Sequence, residues 1–272
     1  MRCAVLGDPI AHSLSPVLHR AAYAALGLDG WRYDAVRVPS GGLAAFLATL
    51  EPGEWRGLSL TMPLKREVLA LVGPRTDAVA LAGAANTLVV DDDGARRLDN
   101  TDLPGAAAAV RERHDGPVAA ATILGAGATA ASVGLALADL GARSLRVLAR
   151  SPERAASTLA ALRAHPSSPE VVVAPLDAAV VGDVVVSTVP AAAQDDGLVA
   201  RCADVPVIFE VLYDPWPTPL AAAATARGQV LVGGLDLLVH QAARQLELFT
   251  GHAAPLDAMR DAGAAVLEAR AS

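Results

Sequence analysis

Runs of strand character alternate with helical runs along almost the whole chain, a pattern that restricts it to the α/β class of folds. The first series is predicted to contain, in order, strand 2–7, helix 16–26, strand 32–38, helix 41–50, strand 57–61 and helix 63–72. A β-hairpin follows, with Asp93-Gly94 as its turn, because this dipeptide adopts the backbone conformation that a tight hairpin requires.

A second alternating series begins at residue 118. Its predicted elements are strand 118–124, helix 129–140, strand 145–150, helix 153–164, strands near 171–174, 183–188 and 206–213, helix 218–227, strand 229–232 and, last, an amphipathic helix over 235–249. A chain of 272 residues is long enough for two modest domains, and the two series place their boundary near Leu103-Pro104-Gly105.

Charge and cysteine content exclude several classes of protein. The formal net charge is −7 and the basic residues form no cluster, which argues against nucleic acid and acidic membranes as partners. Cys3 and Cys202 have neither metal-ligand nor redox spacing, so they are predicted to be reduced core thiols of a cytoplasmic protein. The first residues, MRCAVLGDP, lack the apolar stretch of a signal peptide.

One uncharged stretch, residues 117–138, approaches the length of a membrane span. It consists mostly of alanine and glycine, and Gly125-Ala126-Gly127 interrupts it where a strand would turn into a helix. A buried strand followed by a buried helix is therefore the better interpretation.

The same stretch contains TILGAGATA (residues 122–130), which matches the pattern G-x-G-x-x-A of dinucleotide-binding folds. Gly125 permits the tight turn and Gly127 lets the backbone approach a pyrophosphate, while Ala130 allows the helix to pack closely on the sheet. The pattern alone is weak, but its position between a strand and a helix supports a nucleotide site.

The end of the next strand carries information about the cofactor. NAD-preferring sites place Asp or Glu there, whereas this strand ends in Ala149-Arg150-Ser151, with Arg154 one helical turn later. Two guanidinium groups and a hydroxyl suit the 2′-phosphate of NADP. In the alternative interpretation the arginines are a solvated pair at the start of a helix, and Glu153 could pair with either of them.

A serine-rich segment, GDPIAHSLSPVLHR (residues 7–20), follows the first strand. Ser15 is predicted to be the N-cap of a helix and Pro16 its first residue. The hydroxyls of Ser13 and Ser15 would then lie beside a positive helix terminus, a favourable place for a substrate carboxylate. Alternatively, Ser15 only caps the helix.

The two asparagines of the chain, Asn86 and Asn100, both precede threonine. A neutral amide can donate to and accept from a sugar-like hydroxyl at once, so either could bind a polyhydroxylated substrate. Either could also be a turn residue. Asp102 adds a carboxylate at a strand-to-helix junction.

Lys65 is the only lysine, since the other 21 basic residues are arginines. Pro63 is predicted as the first residue of helix 63–72, which puts Lys65 in the first turn, where the helix dipole favours loss of its proton. An arginine could not lose a proton there. A nearby carboxylate such as Asp102 would favour the protonated lysine and so keep part of its positive charge. A Lys/Asp pair could thus donate and accept a proton; the alternative is a lone surface lysine.

Eight short segments, in this order and at this spacing, make the chain resemble the shikimate dehydrogenases over almost its whole length. They are GDPIAHSLSPVLH, SLTMPLK, GAANTLV, DNTDLPG, the GAGATA turn, ARSPER, VLYDPWPTPL and GLDLLVHQA. The resemblance implies reversible reduction of 3-dehydroshikimate to shikimate with NADPH. It also implies a substrate domain of residues 1–103 and 235–272, to which the last long helix returns, and a Rossmann NADP-binding domain of residues 104–234.

The resemblance also implies a role for individual residues. Lys65 and Asp102 would form the catalytic pair, and the substrate would be held by Ser13, Ser15, Thr61, Asn86, Tyr213 and Gln241. The cofactor would be bound by Gly125, Ala126, Gly127, Ala128, Arg150, Arg154, Gly234 and Leu237. No metal is implied, and the chain is expected to be a monomer or a homodimer.

Several positions depart from the usual pattern of the family. Ser59 and Ala149 each stand where asparagine is common, Leu237 replaces methionine, and VSTVPAA (residues 186–192) replaces a different consensus. Ser59 is expected to weaken the support of the substrate loop.

Three other functions are compatible with parts of the sequence. They are a quinate or dual quinate/shikimate dehydrogenase that uses NAD, a non-catalytic Rossmann sensor, and a tetrahydrofolate-type dehydrogenase. The arginines argue against the first, and the Lys65 and Asp102 positions against the second. The HSLSP and NTD segments fit the third poorly.

Overall fold

The computed structural model describes residues 1–51 and 53–271, apart from the side chains of Pro152, Arg154 and Ala271. The chain forms two compact units. The first unit consists of Met1–Thr101 and Leu238–Arg270, and the second of Asp102–Leu237. Each unit contains one sheet together with helices, so the α/β class predicted from the sequence is confirmed.

The first unit contains a mixed five-stranded sheet with the strand order β2-β1-β3-β4-β5. Its strands are β1 (Arg2–Gly7), β2 (Arg32–Arg37), β3 (Trp55–Leu60), β4 (Thr87–Val90) and β5 (Arg96–Asp99). β1 is parallel to β2 and β3, whereas β4 is antiparallel to β3 and β5. The carboxyl ends of β1, β3 and β5 and the amino end of β4 therefore lie at one edge of the sheet.

Four helices belong to the amino-terminal part of the first unit: α1 (Ser15–Ala25), α2 (Leu43–Leu47), α3 (Leu64–Glu67) and α4 (Asp77–Ala82). The prediction of one helix over 63–72 was wrong, because α3 has a single turn and a 3₁₀ turn, Val68–Ala70, follows it. Gly73-Pro74 lies downstream of this turn, and its proline disfavours helical backbone at Gly73, so no helix could continue past this pair. The sequence analysis missed α4, which ends at Gly83 in the left-handed conformation (φ 60°).

The second unit contains six parallel strands in the order β11-β10-β9-β6-β7-β8. They are β6 (Ala120–Leu124), β7 (Ser144–Ala149), β8 (Glu170–Pro175), β9 (Val184–Ser187), β10 (Val207–Glu210) and β11 (Val230–Val232). The helices are α5 (Asp102–Arg113), α6 (Ala128–Asp139), α7 (Pro152–Arg163), α8 (Asp196–Arg201) and α9 (Pro219–Arg227). The strand order reverses between β6 and β9, which is where doubly wound sheets bind ligands.

Two more helices follow β11: α10 (Gly234–Thr250), which begins in the second unit, and α11 (Leu256–Ala271). The prediction that α10 comes last was therefore wrong. Alanine and charged residues dominate α11, so its apolar period is faint, although Met259 is fully buried. In the described part of the chain no helix combines the length and apolar character needed to cross a membrane, and residues 117–138 contribute β6 and α6 to the second unit.

Close packing of α10 on the sheet of the first unit depends on a glycine in β3. A Cβ added to Gly57 would overlap the ring of Phe249, a residue of α10 that is buried against the strand. Any side chain at position 57 would therefore displace the helix. The register of α10 against β3 matters for the site, because this helix carries two of the buried glutamines described below.

A histidine is fully buried beside the same helix. The ring of His19, in α1, stacks on the ring of Tyr33 with 4.0 Å between centroids and 10° between planes. The ring of Phe249 lies 6.1 Å away. Burial among aromatic rings penalises the charged imidazolium, which lowers the pKa of His19 from 6.5 to about 3.

This shift predicts a pH-dependent stability. Below pH 6.5 the unfolded chain binds a proton at His19, whereas the folded protein does not bind it until about pH 3. The free energy of unfolding therefore decreases as the pH is lowered from 6.5 to 3. The unfolding free energy should lose about 1.4 kcal/mol for each pH unit in this range. Urea unfolding of the wild type and of His19→Phe, measured across the range, should differ by this slope. Parallel pH profiles for the two proteins would contradict the assignment.

Candidate active site

Most of the predicted substrate residues of the first unit lie on segments that meet at one edge of its sheet. The chain leaves β1 at Gly7 and passes the segment that follows β3, where Asp8 N donates to Met62 O at 2.9 Å and Thr61 N donates to Leu6 O at 2.9 Å. A Cβ at Gly7 would overlap Thr61 Cγ2, so this approach requires glycine. The fold thereby brings the serine segment and the Thr61–Lys65 segment together.

The serine segment differs from the prediction by one residue. Leu14 occupies the N-cap position of α1, Ser15 is its first residue and Pro16 its second. Ser13, the residue before the N-cap, accepts a hydrogen bond at its Oγ from Ser15 N at 3.3 Å. The interpretation of Ser15 as the helix cap was wrong. Its buried hydroxyl lies at the start of α1, next to Ser13 in the segment.

Lys65 is half-buried in α3, and its backbone carbonyl accepts a hydrogen bond from Ala85 N at 2.8 Å. This bond holds the lysine segment against the residues that lead into Asn86. Because α3 is one turn long, few peptide dipoles add up there, and the ten-residue helix invoked from the sequence is absent from this part of the described chain. Asp102, buried, is the first residue of α5 in the second unit, so its pairing with Lys65 stays a prediction.

Asn86 and Gln241, predicted from distant parts of the sequence, are in contact. Asn86 Nδ2 donates to Gln241 Oε1 at 3.3 Å and to Thr101 Oγ1 at 2.9 Å, and its Oδ1 accepts from Thr101 N at 2.8 Å. Both amides are buried, with Gln241 supplied by α10. Asn100 behaves differently, since its Nδ2 donates to the backbone carbonyl of Ala84 at 2.9 Å, as a turn-stabilising residue does.

The glycine turn of the second unit has the geometry predicted for a nucleotide site. Gly125 follows β6 with φ of 103°, and a Cβ there would overlap Thr188 Oγ1 on the segment after β9. Gly127 is the N-cap of α6, and a Cβ on it would meet nothing within 4 Å, so the space before the helix is open. Ala128 is the first residue of α6, and Ala130 is buried behind it.

A cavity of about 360 Å³ opens at the carboxyl ends of β6, β7 and β9, the position where such sheets bind dinucleotides. Its lining includes Gly125, Ala126, Gly127, Arg150 and Ser151, all of which were singled out from the sequence. The structure thus joins the glycine turn and the arginine-bearing strand end in one cavity. The side chain of Arg154 lies outside the described residues, and its role stays a prediction.

Glu153 is bound near this cavity by a serine. Ser151 Oγ donates to Glu153 Oε2 at 2.5 Å, and this hydrogen bond lowers the pKa of the Glu153 carboxyl. The carboxylate therefore forms a short local contact at the start of α7. Arg150, which is exposed, lines the cavity.

The start of α10 packs against the loop that carries Tyr213. A Cβ on Gly234 would overlap the carbonyl oxygen of Leu212, so the helix can begin this close to the loop only with glycine. Tyr213 is half-buried and Leu237, one turn into α10, is buried. Asp236 fixes the helix start, since its Oδ2 accepts from Gly233 N at 2.9 Å.

A buried carboxyl that sequence reasoning missed anchors the same loop. Glu210, at the end of β10, is fully buried, and its oxygens accept hydrogen bonds from Leu212 N at 3.1 Å, Gln194 Nε2 at 2.6 Å and Thr218 Oγ1 at 3.0 Å. Burial raises the pKa of Glu210 despite these bonds. The signal that could have revealed it is a single acidic residue inside the apolar run VIFEVLY.

Comparison with known proteins identifies the family. A model described as "Shikimate dehydrogenase substrate binding domain" matches residues 5–88, and one described as "Shikimate 5'-dehydrogenase C-terminal domain" matches residues 234–262. The shikimate dehydrogenase (NADP(+)) of Moorella thermoacetica is 34% identical, with 94% of this chain and 90% of that protein covered. The chain belongs to the shikimate dehydrogenase family.

Several solved structures are similar in fold to this chain. The shikimate dehydrogenase of Mycobacterium tuberculosis is 40% identical, with 97% of this chain and 99% of that chain covered and a TM-score of 0.86. Shikimate 5-dehydrogenase from Thermus thermophilus, in complex with NADP(H) and shikimate, is 29% identical over 98% and 100% of the two chains, with a TM-score of 0.86. Quinate dehydrogenase from Corynebacterium glutamicum, in complex with NAD, is 25% identical over 97% and 99%, with a TM-score of 0.87.

Ser59, which departs from the usual family pattern, is buried in β3 and forms two hydrogen bonds. Its Oγ donates to Gln245 Oε1 at 2.7 Å and lies 2.5 Å from Tyr33 Oη. Neither Tyr33 nor Gln245 was singled out from the sequence. A signal for Gln245 exists, since it follows Gln241 by one turn on the same face of α10.

Proposed function

We propose that this protein catalyses the reversible NADPH-dependent reduction of 3-dehydroshikimate to shikimate. The observation that carries the proposal is the pairing of two sites in one chain. The first unit gathers serine, lysine and amide side chains at one sheet edge, and the second contains a glycine turn and an arginine at one cavity. Relatives that match over most of the chain bear the name shikimate dehydrogenase (NADP(+)).

The substrate is proposed to bind through its carboxylate and its hydroxyls. Ser13 and Ser15, at the start of α1, donate to the carboxylate, with the Tyr213 hydroxyl as a further donor. The hydroxyls are bound by Thr61 and by the adjacent amides of Asn86 and Gln241. A pair of neutral amides suits this task, because each can donate and accept without the cost of burying a charge.

The cofactor is proposed to bind in the second unit. Backbone NH groups of Gly125, Ala126, Gly127 and Ala128 face its pyrophosphate at the start of α6, where the helix dipole favours negative charge. Arg150 and Arg154 bind the 2′-phosphate, and Gly234 and Leu237 border the nicotinamide. Bound NADPH supplies the hydride for the substrate carbonyl.

Lys65 and Asp102 are proposed to manage the proton. When the carbonyl is reduced, the oxygen becomes an alkoxide that needs a proton, and the ammonium group of Lys65 can supply it. Asp102 supports the charged form of the lysine and helps to return its proton. An arginine could stabilise the alkoxide but could not give up a proton, which explains the single lysine of the chain.

The location of the protein is proposed to be cytoplasmic. Cys3 and Cys202 are both buried and free of disulfides, as expected where thiols stay reduced. A monomer or a homodimer is proposed, and the molar mass measured by light scattering during gel filtration distinguishes the two.

An activity test separates this proposal from the alternative, a quinate dehydrogenase. The alternative is tested because a quinate dehydrogenase has a fold similar to that of this chain. Shikimate and quinate are each offered with NADP and with NAD, and formation of the reduced nicotinamide is followed by absorbance. The highest kcat/KM is expected for shikimate with NADP. A preference for quinate with NAD would replace the proposal, and absence of turnover in all four combinations would refute an oxidoreductase of this family.

A further inference from the structure

Five buried polar side chains form a continuous hydrogen-bonded chain inside the first unit. Tyr33, Ser59, Gln245, Thr87 and Asn86 are each at most 4% exposed, and they come from three strands, the residue before one of them, and α10. Buried polar groups are costly unless each is satisfied, so a connected set of this size requires an explanation.

The links of this chain are short. Tyr33 Oη lies 2.5 Å from Ser59 Oγ, and Ser59 Oγ donates to Gln245 Oε1 at 2.7 Å. Gln245 Nε2 donates to Thr87 Oγ1 at 2.9 Å and to the backbone carbonyl of Asn86 at 3.1 Å. Thr87 Oγ1 then donates to Asn86 Oδ1 at 2.8 Å.

Two backbone groups fix the direction of these bonds. The carbonyl of Asn86 can only accept, so the amide nitrogen of Gln245 must face it and the amide oxygen must face Ser59. Thr101 N can only donate, so the oxygen of the Asn86 amide faces it at 2.8 Å. Ser59 uses its single proton toward Gln245, and Tyr33 must therefore donate to Ser59.

Every link consequently donates toward Asn86 Oδ1, and the Asn86 Nδ2 group is left to face Thr101 Oγ1 and Gln241 Oε1. Hydrogen bonds that run in one direction polarise one another, by about 10–30% for each bond. An amide whose oxygen accepts from such a chain has a more positive NH₂ group, which makes it a better donor.

We propose that Tyr33, Ser59 and Gln245 are positioning residues that fix and polarise the Asn86 amide, so that its Nδ2 donates to a substrate hydroxyl in place of its longer bond to Gln241 Oε1 at 3.3 Å. The inference rests on the role proposed for Asn86 above. It assigns a function to side chains that are buried inside the unit. It also explains how Ser59, which departs from the family pattern, can still hold the Asn86 amide in place: its hydroxyl accepts from Tyr33 and donates to Gln245.

A direct readout exists because the chain has only two asparagines. Selective ¹⁵N labelling of asparagine gives one side-chain NH₂ signal from Asn86 and one from Asn100, which donates to Ala84 O outside the chain of bonds. In Tyr33→Phe, the Asn86 signal should shift, because the chain of bonds that polarises the amide loses its first link. The Asn100 signal should stay in place.

Tyr23→Phe is the matched control. Tyr23 is buried in the same unit, and its hydroxyl lies outside the chain of bonds, so the same chemical change should leave both asparagine signals in place. Ser59→Ala tests a second link, and Ser59→Thr, which keeps the hydroxyl, should restore the wild-type signal.

Steady-state kinetics provide the functional arm. Asn86 binds a hydroxyl in the ground state and in the transition state alike, so Tyr33→Phe and Ser59→Ala should raise KM for shikimate about fivefold and leave kcat within about twofold. Asn86→Ala is measured in parallel. If it leaves KM unchanged, the role proposed for Asn86 fails, whatever the spectra show.

Two results would overturn the inference itself. One is an Asn86 signal that does not respond to Tyr33→Phe or Ser59→Ala, which would mean that the links do not act on the amide. The other is a response of the signal with no change of KM while Asn86→Ala does raise it, which would mean that the links do not position the amide for substrate.

Discussion

Replacing Lys65 by alanine is expected to lower kcat by about 100-fold to 10,000-fold and to change KM for shikimate little. Removal of a positioned proton donor has an effect of this size, and it acts on the transition state, in which the alkoxide forms, more than on the bound substrate. The expectation depends on Lys65 being held near the substrate residues. The bond from Ala85 N to its carbonyl ties the lysine segment to the residues leading into Asn86.

Two further variants separate the proton from the charge. Lys65→Arg keeps the positive charge and removes the ability to lose a proton. Its kcat should therefore be close to that of Lys65→Ala. Arg66→Ala removes a cation from the neighbouring exposed position of the same short helix and should keep kcat within about twofold of the wild type. Steady-state kinetics of purified variants with equal unfolding midpoints measure this. A Lys65→Ala enzyme within a few-fold of wild-type kcat would show that another group carries the proton.

Local sequence could predict the parts of the site in which one short segment determines the geometry. The Gly125–Gly127 turn has its positive φ and its helix start in the expected register, because a strand, two glycines and an alanine-rich helix suffice to specify it. The hairpin was also predicted from local sequence, but its turn runs from Asp91 to Gly94 instead of being formed by Asp93-Gly94 alone: Gly94 N donates to Asp91 O at 2.9 Å, and Gly94 has φ of 82°. In both places a glycine with positive φ lies in the turn, a conformation that local sequence can indicate.

Elements whose limits depend on competing local signals were predicted less well. The helix with Lys65 ends after one turn, and a 3₁₀ turn and two further residues separate it from the Gly73-Pro74 pair. The N-cap of α1 is Leu14, one residue before the predicted Ser15, and Ser13 Oγ accepts from Ser15 N. Helix α11 has too few large apolar residues to show a clear period.

The buried hydrogen-bonded chain could not be predicted from local sequence at all. Ser59 and Gln245 are 186 positions apart, and Asn86 and Gln241 are 155 apart. Nothing in the neighbourhood of either glutamine indicates its partner, because contact is created only when α10 packs on β3. That packing in turn depends on Gly57, a residue whose importance becomes visible only beside Phe249.

Replacing Arg150 by glutamate is expected to raise Kd for NADPH by about 100-fold or more and to change Kd for NADH by much less. Arg150 lies at the end of β7 and lines the cavity together with Ser151 and the glycine turn. A charge-assisted hydrogen bond to the 2′-phosphate is worth about 1.5–3 kcal/mol, and a carboxylate in its place adds repulsion. A 100-fold change in Kd corresponds to about 2.7 kcal/mol. The lost hydrogen bond and the repulsion between the carboxylate and the phosphate together account for this free energy.

Fluorescence titration with NADPH and NADH measures the two constants, and titration with adenosine 2′,5′-bisphosphate and AMP isolates the phosphate from the nicotinamide. Arg143→Glu makes the same change of charge just before the amino end of β7 and should leave the NADPH/NADH ratio in place. The effect of Arg150→Glu should shrink as salt is added, because screening weakens contacts at an exposed side chain. An unchanged ratio in Arg150→Glu would exclude this arginine from 2′-phosphate recognition and leave Arg154 as the candidate.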